Sequence, residues 1–273
     1  MKDTIHFGKI TILGRGNLSK TIQSTAIKLK LADNIALSKE ESELEHEIRE
    51  SDLVIIDQPV VNTLALLPKI SDAVKPGTIV TDTAGIKKRI VDQAQGFFSD
   101  NRYFVGSHPM IEPANGEKKE DLSLSLSGAT AFVTVAPETN RDAVCKIALF
   151  WKALGMVPLL MNPERHDRYM ALLIHLPYAA ACSLGQLLSR VSDDINFIRQ
   201  MAGKSLREGI HAAGLEASLG SVVLFENAPY ILAAIDHFSE ALGKIRKAIE
   251  QQDLKKLESV LKDSEIMRRN LET

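Results

Sequence analysis

Three histidines and a pair of glycines are the residues of this chain whose type and spacing suit chemistry. His108 stands in Gly106-Ser107-His108-Pro109-Met110, just after a short β run at Tyr103–Val105. His166 precedes Asp167, and His175 follows nine positions later in His175-Leu176-Pro177-Tyr178. An imidazole titrates near ~6.5, so its neutral form predominates at pH 7 and can take a proton from a reacting hydroxyl. His108 is the expected acceptor, because a residue just past a parallel strand lies at the carboxyl edge of its sheet, where such sheets bind ligands. The interval between His166 and His175 is about 2.5 turns of a regular helix, which points them to opposite faces. Pro177 favours a local break, making His175 the better site candidate and His166 a hinge or capping residue.

The glycines open the chain. An apolar β run, Lys9–Leu13, leads into Gly14-Arg15-Gly16-Asn17-Leu18-Ser19. This is the layout of a dinucleotide-binding turn with its third glycine replaced by serine. Gly14 permits the tight turn, Gly16 lets backbone approach a pyrophosphate, and the helix that follows offers amides to phosphate. A second strand, Asn34–Leu37, ends in Ser38-Lys39 with no carboxylate before Glu40. A hydroxyl beside an ammonium suits a 2′-phosphate better than a bare diol, so the expectation leans to NADP over NAD. Glu40 leaves NAD open.

Alternating elements must hold these residues in place. Further strands are expected at Asp52–Ile56, Thr78–Thr81 and Thr130–Val135, with helices at Leu18–Leu31, Lys87–Phe97 and Glu138–Leu154 between them. That alternation implies an α/β fold, a Rossmann-type, mostly parallel sheet covered on both faces. Strand signals stop after Met156–Met161. Asn162 reads as an N-cap with Pro163 at the first helical position, and helical periodicity continues to the end. Two domains are expected, a dinucleotide-binding domain at 1–162 and an all-helical substrate and dimerisation domain at 163–273. So much Leu, Ile and Ala on helices needs cover, part of it from the first domain and the rest from a second subunit.

Composition narrows the partners. Thirty-three basic against 35 acidic side chains leave a net charge of −2, so no global basic field holds nucleic acid or an anionic membrane. The two cysteines, Cys145 and Cys182, sit in apolar helical surroundings, read as buried free thiols, and cannot build a disulfide framework. The polar start MKDTIHFGK lacks a signal-peptide core. Met170–Leu188 is interrupted by His175, Pro177 and Gln186, so it reads as a buried helix rather than a membrane span. A cytoplasmic protein is expected. The spacing of His108, Glu112, His166 and His175 matches no usual metal motif.

Three segments resemble the prephenate and arogenate dehydrogenase family. Thr81-Asp82-Thr83-Ala84-Gly85-Ile86-Lys87 is similar to that family's Asp-x-Gly-Ser-x-Lys. Ser107-His108-Pro109-Met110, followed by Glu112 and Gly116, resembles its His-Pro-Met signature. His166-Asp167 with His175-Leu176-Pro177-Tyr178 resembles its His-Asp and Ser-His-Leu-Pro-His pair. With the glycine loop and Asp52–Val60 the likeness runs through nearly the whole chain in order. It implies that Asn17, Leu18, Pro59 and Asp82 join Gly14, Gly16, Ser38 and Lys39 in holding the dinucleotide. It also implies that Glu112 orients a substrate group or holds an ionic gate, unless it is merely a surface residue.

The resemblance implies hydride removal from a ring carbon bearing a hydroxyl, loss of that hydroxyl's proton, and decarboxylation to an aromatic ring. Three departures bear on it. The family serine of the first motif is Gly85, the last histidine of Ser-His-Leu-Pro-His is Tyr178, and its serine is Ile174. The arginine that grips a substrate carboxylate aligns with His211. Arg207, four residues earlier, would share nearly the same helix face and supply the cation; otherwise Arg207 is a solvated residue and the substrate has changed. The expected activity is therefore NAD(P)-dependent oxidation of prephenate or arogenate in tyrosine biosynthesis. The rivals are a same-fold dehydrogenase or reductase for another carboxylated substrate and a non-catalytic dinucleotide-binding regulator.

Overall fold

The computed structural model describes residues 5–38, 44–111, 125–191 and 195–272. Lys39, Glu40 and Glu112 lie outside them. The chain divides into two compact units, Met1–Met170 with Gly214–Asn227, and Ala171–Ala213 with Ala228–Thr273. The sequence places the change at 162/163. The packing places it eight residues later, inside a helix, and returns 214–227 to the first unit.

In the first unit, β1 (Phe7–Leu13), β2 (Ala32–Leu37), β3 (Leu53–Ile56), β4 (Ile79–Asp82) and β5 (Tyr103–Val105) form one all-parallel sheet, ordered β2-β1-β3-β4-β5. Strands buried on both faces need apolar side chains at every position. In β3, Leu53 and Ile55 face one apolar cluster with Ile10, Ile12, Phe150 and Trp151, while Val54 and Ile56 face another with Leu64, Leu67 and Ile70. Helices α1 (Asn17–Lys28), α2 (Leu44–Ile48), α3 (Val60–Ala73) and α4 (Lys88–Gln95) connect the strands. The strand order reverses between β1 and β3, which opens a crevice beyond their carboxyl ends.

A second sheet was not separable in the sequence. Ser107–Pro109 forms β6, antiparallel to β7 (Thr130–Thr134), which runs parallel to β8 (Val157–Met161). The strand expected at 130–135 therefore leaves the parallel sheet, and His108 sits on a short strand of its own. Helix α5 (Arg141–Ala153) packs between β7 and β8 in sequence, capped by the Asn140 side chain, which accepts from the Ala143 N–H at 2.9 Å. Cys145 on it is exposed and Cys182 is half-buried, so neither is the buried thiol expected.

Helix α6 (Pro163–Met170) starts as its sequence suggests: Asn162 Oδ1 accepts from the amides of Glu164 and Arg165 at 2.9 and 3.3 Å. It runs into a π-helical turn at Ala171–His175 and then α7 (Leu176–Val191). Pro177 has no N–H to give to the preceding turn, which accounts for a break in the regular ladder there. α8 (Ile195–Met201), α9 (Lys204–His211), α10 (Ala217–Glu226), α11 (Ala228–Glu250) and α12 (Leu254–Glu272) complete the chain, α10 belonging to the first unit.

The second unit leaves much apolar surface uncovered. α8, α9 and α12 contain no buried residue among those described, and Leu173, Phe197, Leu232, Phe238 and Leu242 are exposed. The 163–190 helix has the length and composition to cross a bilayer, and only 17% of its most apolar window is buried within the chain. The buried helix read from the sequence at 170–188 is thus not buried by this chain alone.

Candidate active site

Two adjoining arrangements in the first unit gather the polar residues. The first is a cleft of about 560 Å³ at the strand-order reversal, lined by Gly14, Arg15 and Gly16 after β1, Ser38 after β2, and Asp57 and Gln58 after β3. A Cβ on Gly14 would lie 2.7 Å from the Asp57 carbonyl oxygen and collide with Ser19 Oγ, so only glycine fits the turn. Gly16 is the N-cap of α1 and brings no side chain to its own helix end. Ser19 is fully buried where the usual third glycine stands. It gives its N–H to Asp57 Oδ2 at 3.0 Å and its hydroxyl to the same oxygen, while Thr83 Oγ1 donates to Asp57 Oδ1 at 2.8 Å. Asp57 thus ties the turn to β3 and β4. The sequence carries a signal for it, a carboxylate ending an apolar strand at the sheet's carboxyl edge.

Of the other expected cofactor residues, Asn17 and Leu18 begin α1, with Asn17 exposed and Leu18 packed against the core. Pro59 is the exposed N-cap of α3. Asp82 departs from expectation. It is fully buried and paired with the equally buried Lys87, and it accepts from Ala84 and Ser107 amides at 3.1 and 3.2 Å. It presents no surface to a ligand. Loss of hydration pushes the Asp82 carboxyl up and the Lys87 ammonium down, each opposed by the charge of the other. Lys87 also donates to the Ser107 carbonyl at 2.8 Å, and Ser107 Oγ meets Thr81 Oγ1 and the Trp151 indole N–H at 2.8 and 3.0 Å. This buried lattice fixes the strand that carries His108.

The second arrangement is a row of side chains ending at that histidine. His108 Nδ1 lies 3.0 Å from His166 Nε2, and His166 Nδ1 lies 2.8 Å from Asp167 Oδ1. The Asp167 carboxylate also accepts the Lys87 N–H on Oδ1 and the Lys88 N–H on Oδ2, both at 2.8 Å, and so caps the first turn of α4. Its carbonyl accepts from Asn227 Nδ2 at 2.9 Å. The His166 ring is fully buried, edge-on to His108 and Phe132 with centroids 5.2 Å away. Burial holds it below the ordinary histidine pKa, with the Asp167 hydrogen bond pulling the other way. Residue 85 lies at the far side of His108: a Cβ on Gly85 would stand 3.7 Å from Nε2.

His166, expected as a hinge or capping residue, is a direct neighbour of His108. His175 is buried in the second unit. Arg207 and His211 are exposed on α9 in the same unit, four residues apart as expected. Arg207 spends two of its N–H groups on the carbonyls of Ala202 and Arg199, both at 3.2 Å. A hydrogen bond with Cys182, one turn on, raises the pKa of the Tyr178 hydroxyl.

Comparison with known proteins gives this arrangement its context. Residues 9–159 match the family model described as prephenate dehydrogenase, nucleotide-binding domain, and residues 162–263 match prephenate dehydrogenase, dimerization domain. A cyclohexadienyl dehydrogenase of Zymomonas mobilis is 29% identical over 93% of this chain and 85% of its own length. A prephenate dehydrogenase of Bacillus subtilis is 25% identical over 77% of this chain, which spans 57% of that longer protein. Among solved structures, prephenate dehydrogenase from Aquifex aeolicus, in complex with hydroxyphenyl propionate and NAD+, shares the fold at a TM-score of 0.81 and 21% identity, covering 98% of this chain and 100% of that one. Synechocystis arogenate dehydrogenase superposes with a TM-score of 0.76 at 22% identity, over 96% of this chain and 99% of its own.

Proposed function

The chain belongs to the prephenate dehydrogenase family, NAD(P)-dependent dehydrogenases, and from that premise we propose that it oxidises prephenate or arogenate with loss of carbon dioxide, in tyrosine biosynthesis. The observation that supports this best is the placement of His108, beside a residue as small as Gly85 and on the same unit as a glycine turn shaped for a diphosphate.

The residues of the cleft fit a dinucleotide: Gly14 leaves the turn open to a close backbone approach, and the N-terminus of α1 would offer phosphates a favourable polarity. A dinucleotide held by this turn would supply a nicotinamide as the hydride acceptor. His108 receives the hydroxyl proton at Nε2, since Nδ1 is engaged with His166. The electron pair of the broken O–H bond then forms the carbonyl-like centre as hydride leaves; the C–C bond to the carboxylate breaks to release carbon dioxide, its electron pair enters the aromatising ring, and the ring oxygen takes the proton back from His108. Arg207 or His211 is assigned to the substrate carboxylate and His175 and Glu112 to its orientation, on the family resemblance alone. The lean to NADP rests on Ser38-Lys39 in the sequence, and Ser38 and Arg15 at the cleft wall add a hydroxyl and a cation that suit a 2′-phosphate. The uncovered apolar helices of the second unit, and their match to a dimerization domain, support a homodimer.

Following reduced-nicotinamide absorbance with prephenate and arogenate, each with NAD and NADP, tests substrate and cofactor together. His108→Asn is expected to lower kcat by about 10²–10⁴ while dinucleotide affinity stays within about twofold of wild type. Wild-type turnover in that variant would remove His108 from the mechanism. A second reading, another carboxylated substrate, gains from the Arg207 guanidinium being turned onto backbone carbonyls; turnover of neither acid would favour it.

A further inference from the structure

We propose that His166 and Asp167 set the tautomer of His108, so that its lone-pair nitrogen is the one beside Gly85. The proposal rests on His108 being the proton acceptor, and it follows from hydrogen bookkeeping along three side chains. Asp167 already accepts two backbone amides of the α4 turn, so its carboxylate is fixed as an acceptor. The His166 nitrogen facing it, Nδ1 at 2.8 Å, must carry the hydrogen. A buried imidazole disfavours its charged form and holds only that one hydrogen, so His166 Nε2 is bare. At 3.0 Å from a bare nitrogen, His108 Nδ1 must be the donor. Neutral His108 then has its lone pair on Nε2, the atom 3.7 Å from the Cβ position of residue 85.

The same chain serves the charged state. Once Nε2 takes the substrate proton, Nδ1–H keeps its acceptor, and the new cation is backed through His166 by a carboxylate. No rotation of either ring is required. His166 and Asp167 touch no reacting atom; they are positioning residues. Their own framework is rigid: Asp167 is clamped to α4 through two amides, its carbonyl is held by Asn227, and Phe132 packs against the His166 ring. The arrangement also offers this chain an answer to the missing family serine at residue 85, since the orientation of His108 is secured from its other nitrogen.

Two measurements test it on the full chain. In wild-type protein labelled with 15N-histidine, long-range nitrogen–proton correlation should show both His108 and His166 protonated on Nδ1 and bare on Nε2. Finding His108 protonated on Nε2 overturns the proposal, whatever any variant does. With prephenate and the preferred cofactor, His166→Leu should lose about ten- to a hundredfold in kcat with KM within about twofold. His166→Gln should regain most of that loss, because its amide carbonyl reaches the place of Nε2 and accepts from His108. Equal losses in both variants, or full turnover in the leucine variant, count against it. Should His108→Asn alone prove harmless, the fault lies in the choice of proton acceptor, while the nitrogen spectrum still decides the tautomer. If His166→Leu does not fold, that spectrum decides alone.

Discussion

His166 enters the folded state as a neutral ring, and this makes it a source of acid sensitivity. Its folded pKa lies below the ordinary value because burial penalises the cation. In the unfolded chain the same ring takes a proton near pH ~6.5. Between that value and the lower folded one the unfolded state binds more protons, so stability rises with pH through this window. The contribution is complete above about 6.5 and is lost as pH falls beneath it. Urea midpoints measured at pH 7.5 and 5.5 are expected to drop less in His166→Gln than in wild type; an equal drop would place the acid sensitivity elsewhere. His108 was legible as a residue because Ser-His-Pro-Met follows a strand signal. The role of His166 was not, because its partner His108 lies 58 residues away and no local pattern joins the two. Asp82 misled for a related reason: a carboxylate at a strand end looks like a ligand until its buried lysine is seen.

At the scale of elements, the parallel sheet could be read from apolar runs alternating with helical periodicity, and β1, β3 and β4 fall where those runs are. Two elements resisted. The α3 helix contains Pro68, a residue that ordinarily ends one, yet it spans Val60–Ala73 with Leu64, Leu67 and Ile70 buried. β6 is only three residues long, and its pairing with β7 bridges a sequence gap that no local pattern spans. The β1-to-α1 turn is the element on which cofactor binding depends. Gly14→Ala would push a methyl against the Asp57 carbonyl and Ser19, and relief requires moving backbone. Dinucleotide Kd, read by fluorescence titration, is expected to rise at least about tenfold, a loss on the order of 1.4 kcal/mol or more, with far-ultraviolet circular dichroism unchanged. Unaltered affinity would mean that the pyrophosphate lies away from this turn.

For the whole molecule, the uncovered helices set the expectation. Phe238 and Leu242 are 45% and 56% exposed on α11, and exposed apolar surface on this scale marks an association face. Light scattering on the wild-type protein should return twice the chain mass, and Leu242→Glu should shift it toward one chain with a lower thermal midpoint. A wild-type monomer, or a variant that remains dimeric, would show that this face is not the contact. The expectation was legible in the sequence, because helices so rich in leucine and isoleucine need cover from elsewhere. It could not show that the first unit takes back residues 214–227, since nothing local in that segment names its partner.

That return has a practical side. Glu226 on α10 pairs with Arg89, and Asn227, 60 residues downstream of Asp167, holds its carbonyl, so the stretch bracing the histidine row is encoded far beyond it. A gene fragment ending near codon 162 or 170 would make a nucleotide-binding piece short of its own buttress. Anyone building chimeras between such dehydrogenases must therefore transplant α10 along with the amino-terminal half, or swap neither.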